Sequence, residues 1–178
     1  MTVKQADDII EVALPASDRQ ETDTVIALEL DRPASAISPV APLAASQSLA
    51  TGKKATASNV FQKMAEYGPE KAVDGSSETR WATDSGTKSA WLEVDLGKPA
   101  AIGRCLIEQA YPELQRVRKF AIEYWQDGKW NPSYRGENLG ATLEATFPPV
   151  TAQRVRLNIT EATDGPTIWE FELYPPTK

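Results

Sequence analysis

Lys71-Ala72-Val73-Asp74-Gly75-Ser76-Ser77-Glu78-Thr79-Arg80-Trp81 is followed, ten residues after Trp81, by Trp91-Leu92-Glu93-Val94-Asp95-Leu96-Gly97. Asp74-Gly75 is a turn dipeptide, because Gly75 accepts positive φ without a Cβ clash. A tight turn there folds the chain back, so that loop carbonyls, the Asp74 carboxylate and the Thr79 hydroxyl converge. Converging hard oxygens are what Ca²⁺ needs, at about six to eight ligands near 2.3–2.6 Å. Taken alone, the D-G-x-x-x-T spacing reads equally well as a plain turn leading into a strand.

Outward from this stretch, apolar residues recur with period two. Leu92, Val94 and Leu96 alternate with Trp91, Glu93 and Asp95; Phe120, Ile122 and Tyr124 with Ala121, Glu123 and Trp125. Val155, Leu157 and Ile159 alternate with polar neighbours, and Trp169, Phe171 and Leu173 are expected to share one face. One apolar face per strand predicts an all-β fold of antiparallel strands packed as a sandwich. Asp127-Gly128 reads as the turn of a hairpin between Trp125 and Trp130. No helical stripe is present beyond one turn at Met64–Tyr67.

Three segments follow. Residues 1–32 hold two strand-like runs, Ile9–Leu14 and Thr24–Leu30, separated by a polar loop. This is a hairpin pattern, expected to be the remnant of an upstream β-domain, since two strands alone are marginal in water. Residues 33–47 carry three prolines and no charge and read as a semi-rigid linker. Residues 48–178 form the main module. Of the net charge of −6, residues 1–32 carry −5, which leaves −1 for the rest. A nearly neutral module lacks the basic surplus expected of a partner for nucleic acid or anionic lipid. No apolar run is long enough to span a membrane, and no signal peptide is visible.

Enzyme signatures are poor. The 178 residues include no histidine, so the commonest general base and zinc ligand are missing. The single cysteine, Cys105, has no histidine to activate it and lies in the apolar run Ala101–Ile107, as a small buried hydrophobe would.

The blocks Lys71–Trp81 and Trp91–Gly97, with Leu49–Ser58, Arg154–Ile159 and Ile168–Leu173, resemble the coagulation factor V/VIII C-type, or discoidin, domain. That family includes the family 32 carbohydrate-binding modules. The resemblance covers residues 48–174 and implies a galactose-binding-domain-like jelly-roll with a structural calcium and a ligand site on loops at one end. Carried over by position, the resemblance implies that calcium is held by the carbonyls of Lys71, Ser76 and Trp169 and by the side chains of Asp74, Thr79 and Glu170. One ion would then tie the first loop to the last strand.

A sugar site needs an aromatic face and a few planar polar groups. Tyr111, Gln115 and Arg116, in a loop that interrupts the strands, are the candidate carbohydrate-binding residues. Phe61–Lys63 and Asp84–Lys88 are further walls. Galactose- and fucose-binding members often use a histidine, which this chain lacks, so the glycan type, galactoside or fucoside, stays open. The hairpin of residues 1–32 and the run Glu108–Trp130 resemble the C-terminal part of bacterial family 29 α-L-fucosidases. The resemblance implies a non-catalytic, carbohydrate-binding accessory module of a secreted or periplasmic glycoside hydrolase, with the catalytic domain upstream. The alternatives are a purely structural domain bracing that enzyme and a protein- or lipid-binding discoidin domain.

Overall fold

The computed structural model describes residues 2–6, 9–13 and 47–177. The chain divides into two compact units, 1–43 and 44–178. In the first, β1 (Thr2–Ala6) pairs antiparallel with β2 (Ile9–Ala13), with Thr2 opposite Ala13 and Ala6 opposite Ile9. The expected strand at Ile9–Leu14 is thus present as β2, but β1 is its partner among the described residues. The run Thr24–Leu30, expected to be that partner, lies outside them, as does nearly all of the linker. β1 went unread because Val3 is its only large aliphatic residue, too little for a period to register.

The second unit contains β3 (Lys54–Ala57), β4 (Trp81–Ala82), β5 (Ala90–Gln109), β6 (Val117–Gln126), β7 (Lys129–Glu137), β8 (Thr142–Ala162) and β9 (Thr167–Tyr174). The sheet order is β4-β9-β5-β8-β6-β7, with β3 also on β5. Every pairing is antiparallel. β5 and β8 run for 20 and 21 residues and carry register shifts at Asp95/Ala100 and Ile102/Arg104. Such irregularities bend a strand, so each long strand contributes to both layers of a sandwich. The first half of β5 joins β3 and the second half of β8, which continues to β6 and β7. The second half of β5 joins β9, which continues to β4.

One core lies between the layers, with Leu92, Val94, Ile122 and Leu157 from one and Cys105, Ile107, Phe171 and Leu173 from the other. Cys105 is fully buried, and desolvation pushes its thiol up to about 12, so it behaves as an inert hydrophobe. On β6 the expected alternation fails, since Phe120, Ala121, Ile122 and Glu123 are all buried on a strand whose pairings shift at Lys119/Phe120 and Ile122/Glu123. The alternation holds on β5 and β8 but not along all of β9. There Ile168, Glu170, Phe171 and Leu173 are buried while Trp169 is half-buried. The pairing with β5 shifts between Glu108 and Gln109, so that Trp169 has no partner across β5. One unmatched residue reverses the side-chain phase.

Asp127 (φ 53°) and Gly128 (φ 76°) are both left-handed. That is the conformation of a type I′ hairpin turn, and it sets Gln126 opposite Lys129. Met64–Tyr67 contributes a single 3-10 turn, Ala65–Tyr67.

Candidate functional site

The connections around residues 59–80, 83–88, 110–116 and 163–166 meet at one end of the sandwich. Backbone bonds join them: Thr83 N–H donates to the Pro166 carbonyl at 3.1 Å and Thr163 N–H to the Arg116 carbonyl at 2.9 Å. Two carboxylates add struts. Asp84 accepts from the Gln62 N–H at 2.8 Å and the Asn59 amide at 3.0 Å. Asp164 accepts from the Gly86 N–H at 2.6 Å and the Gly165 N–H at 2.7 Å. These donors hold both carboxyls below the ordinary value, led by Gln62 for Asp84 and by Gly86 for Asp164. Gly165 is required where it stands, because a Cβ there would lie 2.6 Å from the Asp84 carbonyl oxygen.

Between these loops lies a cleft of about 220 Å³ lined by, among others, Phe61, Tyr67, Arg80, Tyr111, Arg116 and Asp164. Phe61 and Tyr67 meet edge to face at 5.4 Å. The Arg80 guanidinium lies over both tyrosines, 4.9 Å from the Tyr67 centroid and 5.4 Å from that of Tyr111. Tyr111 is 40 % exposed and its ring is 6.3 Å from that of Trp169. Arg116 donates to the Gly165 carbonyl at 3.0 Å, which fixes it in the wall. Of six described non-glycine residues at positive φ, four sit on the flanking loops: Gln62, Lys63, Tyr111 and Gln115. Each such conformation costs on the order of 1–3 kcal/mol, and such strain clusters at ligand sites.

Tyr111 and Arg116 therefore share a cleft, whereas Gln115 is exposed and does not line it. The αL backbone at Gln115 ends the turn Pro112–Leu114 and carries the chain past the rim. Phe61 and Ser85 of the expected walls do line the cleft. Sequence reasoning missed Tyr67 and Arg80. Arg80 stood inside the opening motif, and its position just before the buried Trp81 placed it at a strand end beside the loops.

Behind the cleft, the turn at Asp74-Gly75 gathers oxygens. The Thr79 hydroxyl lies 2.8 Å from both Asp74 carboxylate oxygens, 3.2 Å from the Ser76 carbonyl and 3.4 Å from the Lys71 carbonyl. One hydroxyl proton serves one of these acceptors, so the cluster suits a positive centre. Lys71 Nζ is 3.8 Å from Asp74. Glu170 is buried, and its Oε1 accepts from Gly75 and Ser76 N–H at 3.2 and 3.1 Å. Burial pushes its carboxyl up to about 8, and the Asp74 charge pushes the same way. The loop residues and Glu170 implied as calcium ligands are thus brought together, while Trp169, next to Glu170 in the chain, stands at the interruption of the β5 ladder and its carbonyl has no contact with the cluster among the described hydrogen bonds. No cluster of three His, Cys, Asp or Glu occurs among the described residues, so this set relies on carbonyl and hydroxyl oxygens beside two carboxylates.

The profile of the F5/8 type C domain matches residues 54–172. A protein from Oryza sativa subsp. japonica named as an alpha-L-fucosidase is 28% identical over 131 residues, 72% of this chain and 25% of that protein. The chain thus spans about a quarter of the length of that curated relative. Among solved structures, chitosan-binding module 1 of a chitosanase/glucanase from Paenibacillus sp. IK-5 is 30% identical, with a TM-score of 0.65, over 71% of this chain and 98% of that one. Module 2 of the same enzyme, solved with chitotriose, is 28% identical, with a TM-score of 0.64, over 71% of this chain and 98% of that one. A GH29 fucosidase of Ruminococcus gnavus, solved with fucose, is 29% identical with a TM-score of 0.66, covering 74% of this chain and 27% of the enzyme.

Proposed function

Because the chain belongs to the F5/8 type C domain family, we propose that residues 48–178 form a non-catalytic carbohydrate-binding module of a secreted α-L-fucosidase. The observation that carries this reading is the cleft in which the exposed Tyr111 ring adjoins Arg80 and Arg116. A pyranose needs an apolar face to lie on and planar donors for its hydroxyls, and the cleft offers both. The similarity to chitosan-binding modules supports a sugar as the ligand class, and the similarity to fucosidases supports the parent enzyme and an extracellular location. The module keeps its parent near glycans of galactoside or fucoside type. Chemistry is left to a catalytic domain elsewhere in that parent.

Calcium is part of the same reading. The oxygen donors fit the ion: Asp74, Thr79 and Glu170 by side chains, Lys71, Ser76 and Trp169 by carbonyls. The ion would supply the positive charge that Asp74 and the buried Glu170 lack, and so hold the first loop against β9. Such a tie stabilises the fold and takes no part in a reaction.

The test is a glycan array of neutral, acidic and basic oligosaccharides probed with the full chain, followed by titration of the hits. The expected dissociation constants lie on the order of millimolar to tens of micromolar, because a shallow solvated site makes few desolvated contacts. Tyr111→Ala should weaken binding about tenfold or more without lowering the melting temperature. An array without signal in any class rejects the carbohydrate reading in favour of a domain that only braces its parent.

A further inference from the structure

Arg80 differs from the paired arginines of the module. Arg104, Arg154 and Arg156 each have a glutamate partner, at 2.7, 2.6 and 2.7 Å to Glu144, Glu93 and Glu123. Arg116 bonds to a carbonyl and lies beside Asp164, whose carboxyl its charge helps to hold low. Arg80 makes no hydrogen bond and no ion pair from its side chain to any described residue. Its guanidinium lies over the two tyrosine rings, and such stacking leaves its N–H donors free.

A half-buried guanidinium is thereby held in a cleft with its five donors unassigned. The two rings also fix its position, so little side-chain entropy is left to lose when a ligand arrives. Its planar fork matches a carboxylate with two parallel hydrogen bonds between opposite charges, a bidentate fit that a neutral hydroxyl cannot offer. The one carboxylate among the cleft-lining residues, Asp164, is committed to two backbone N–H groups and neighbours Arg116 rather than cancelling Arg80.

We propose that the ligand of this cleft is a carboxylate-bearing sugar, a uronic or sialic acid residue, whose carboxylate pairs with Arg80 while its ring lies on Tyr111. The proposal rests on the carbohydrate reading above and departs from it in the ligand, an acidic sugar residue in place of a neutral galactoside or fucoside. It makes the site opposite in charge preference to what a cationic amino-sugar polymer would need.

The test uses matched pairs. The full chain is titrated at low ionic strength with oligogalacturonides and their carboxyl-reduced counterparts, with sialyllactose and lactose, and with chitosan oligosaccharides. The expected result is that at least one acidic member binds about tenfold or more tightly than its neutral match, and that added salt erodes the advantage. Arg80→Gln should abolish this preference, and Arg80→Lys should retain part of it, with melting temperatures unchanged. Neutral or cationic sugars binding as well as acidic ones would overturn the acid preference while leaving the carbohydrate reading standing. Acid-selective binding that survives Arg80→Gln would overturn the assignment to Arg80. No binding to any sugar would remove both readings.

Discussion

At the scale of single residues, two carboxylates, Asp84 and Asp164, act as struts between loops, and their chemistry predicts an acid response. Both have native pKa values depressed below 3.8 by the N–H groups they accept. A depressed carboxyl contributes stability above its unfolded value, and that contribution is lost as pH falls through the native value. The amide signals of Gln62 and Gly86 should therefore titrate with midpoints below 3.8, as followed by NMR, while core amides stay unchanged. Midpoints at or above that value would show that the struts are absent in solution. Asp74 carries a second prediction. Calorimetric titration of Ca²⁺ into chelator-stripped protein should reveal one site, and the ion should raise the melting temperature, by about 2.7 kcal/mol of stability at a hundredfold excess over Kd. Asp74→Ala should remove both effects. A stripped protein that melts at the same temperature with and without Ca²⁺ would remove calcium from the account.

Among the elements, the loops matter more than the strands for the site, and Gly165 shows why. The 163–166 loop passes so close to Thr83 and Asp84, just after β4, that a Cβ at Gly165 would sit 2.6 Å from the Asp84 carbonyl oxygen and 3.1 Å from that of Thr83. Neither backbone can rotate out of the way as a side chain would. Gly165→Ala should cost about 1–3 kcal/mol through overpacking and, by parting the two loops, weaken ligand binding as well. Thermal unfolding and a glycan titration on the same variant check both effects. Unchanged stability would mean that the loops have slack the close approach does not suggest. The 3-10 turn Ala65–Tyr67 has a comparable role on the other wall, where it brings Tyr67 against Phe61 and over Arg80.

For the whole molecule, the core residues of the second unit run from Ala50 to Leu173. The chain enters through Leu49, whose N–H donates to the Leu173 carbonyl at 2.7 Å, and through Ser48, whose hydroxyl accepts from the Leu173 N–H at 3.0 Å. The segment that leads into the sandwich is therefore pinned to its last strand, β9. Deleting residues 1–46 should leave a folded, calcium-responsive module, as judged by circular dichroism and a cooperative melt. Loss of the fold on that deletion would show that the sandwich depends on the preceding residues. No helix among the described residues is long and apolar enough to cross a membrane.

What the sequence determined by itself is what depends on short separations. Period-two alternation at Leu92–Leu96 and Val155–Ile159 specified strands with one buried face. Asp127-Gly128 specified a turn that needs positive φ. The five-residue spacing of Asp74 and Thr79 was enough to bring a carboxylate and a hydroxyl together across one loop. The family likeness then carried Glu170, 96 positions from Asp74, to the same place. Tertiary structure decided whatever depends on register and on which loops meet. The register shift between Glu108 and Gln109 leaves Trp169 unpaired, turns it out of the core and keeps Ile168 in it, a shift that no alternation pattern records. Two αL residues, Tyr111 and Gln115, kept the first in the cleft and put the second outside it. Arg80 lines the cleft because Tyr67 and Tyr111, 44 residues apart, close on it from two different loops. Such a contact is the product of bent strands that bring distant loops to one end of the sandwich, and it has no counterpart in local spacing.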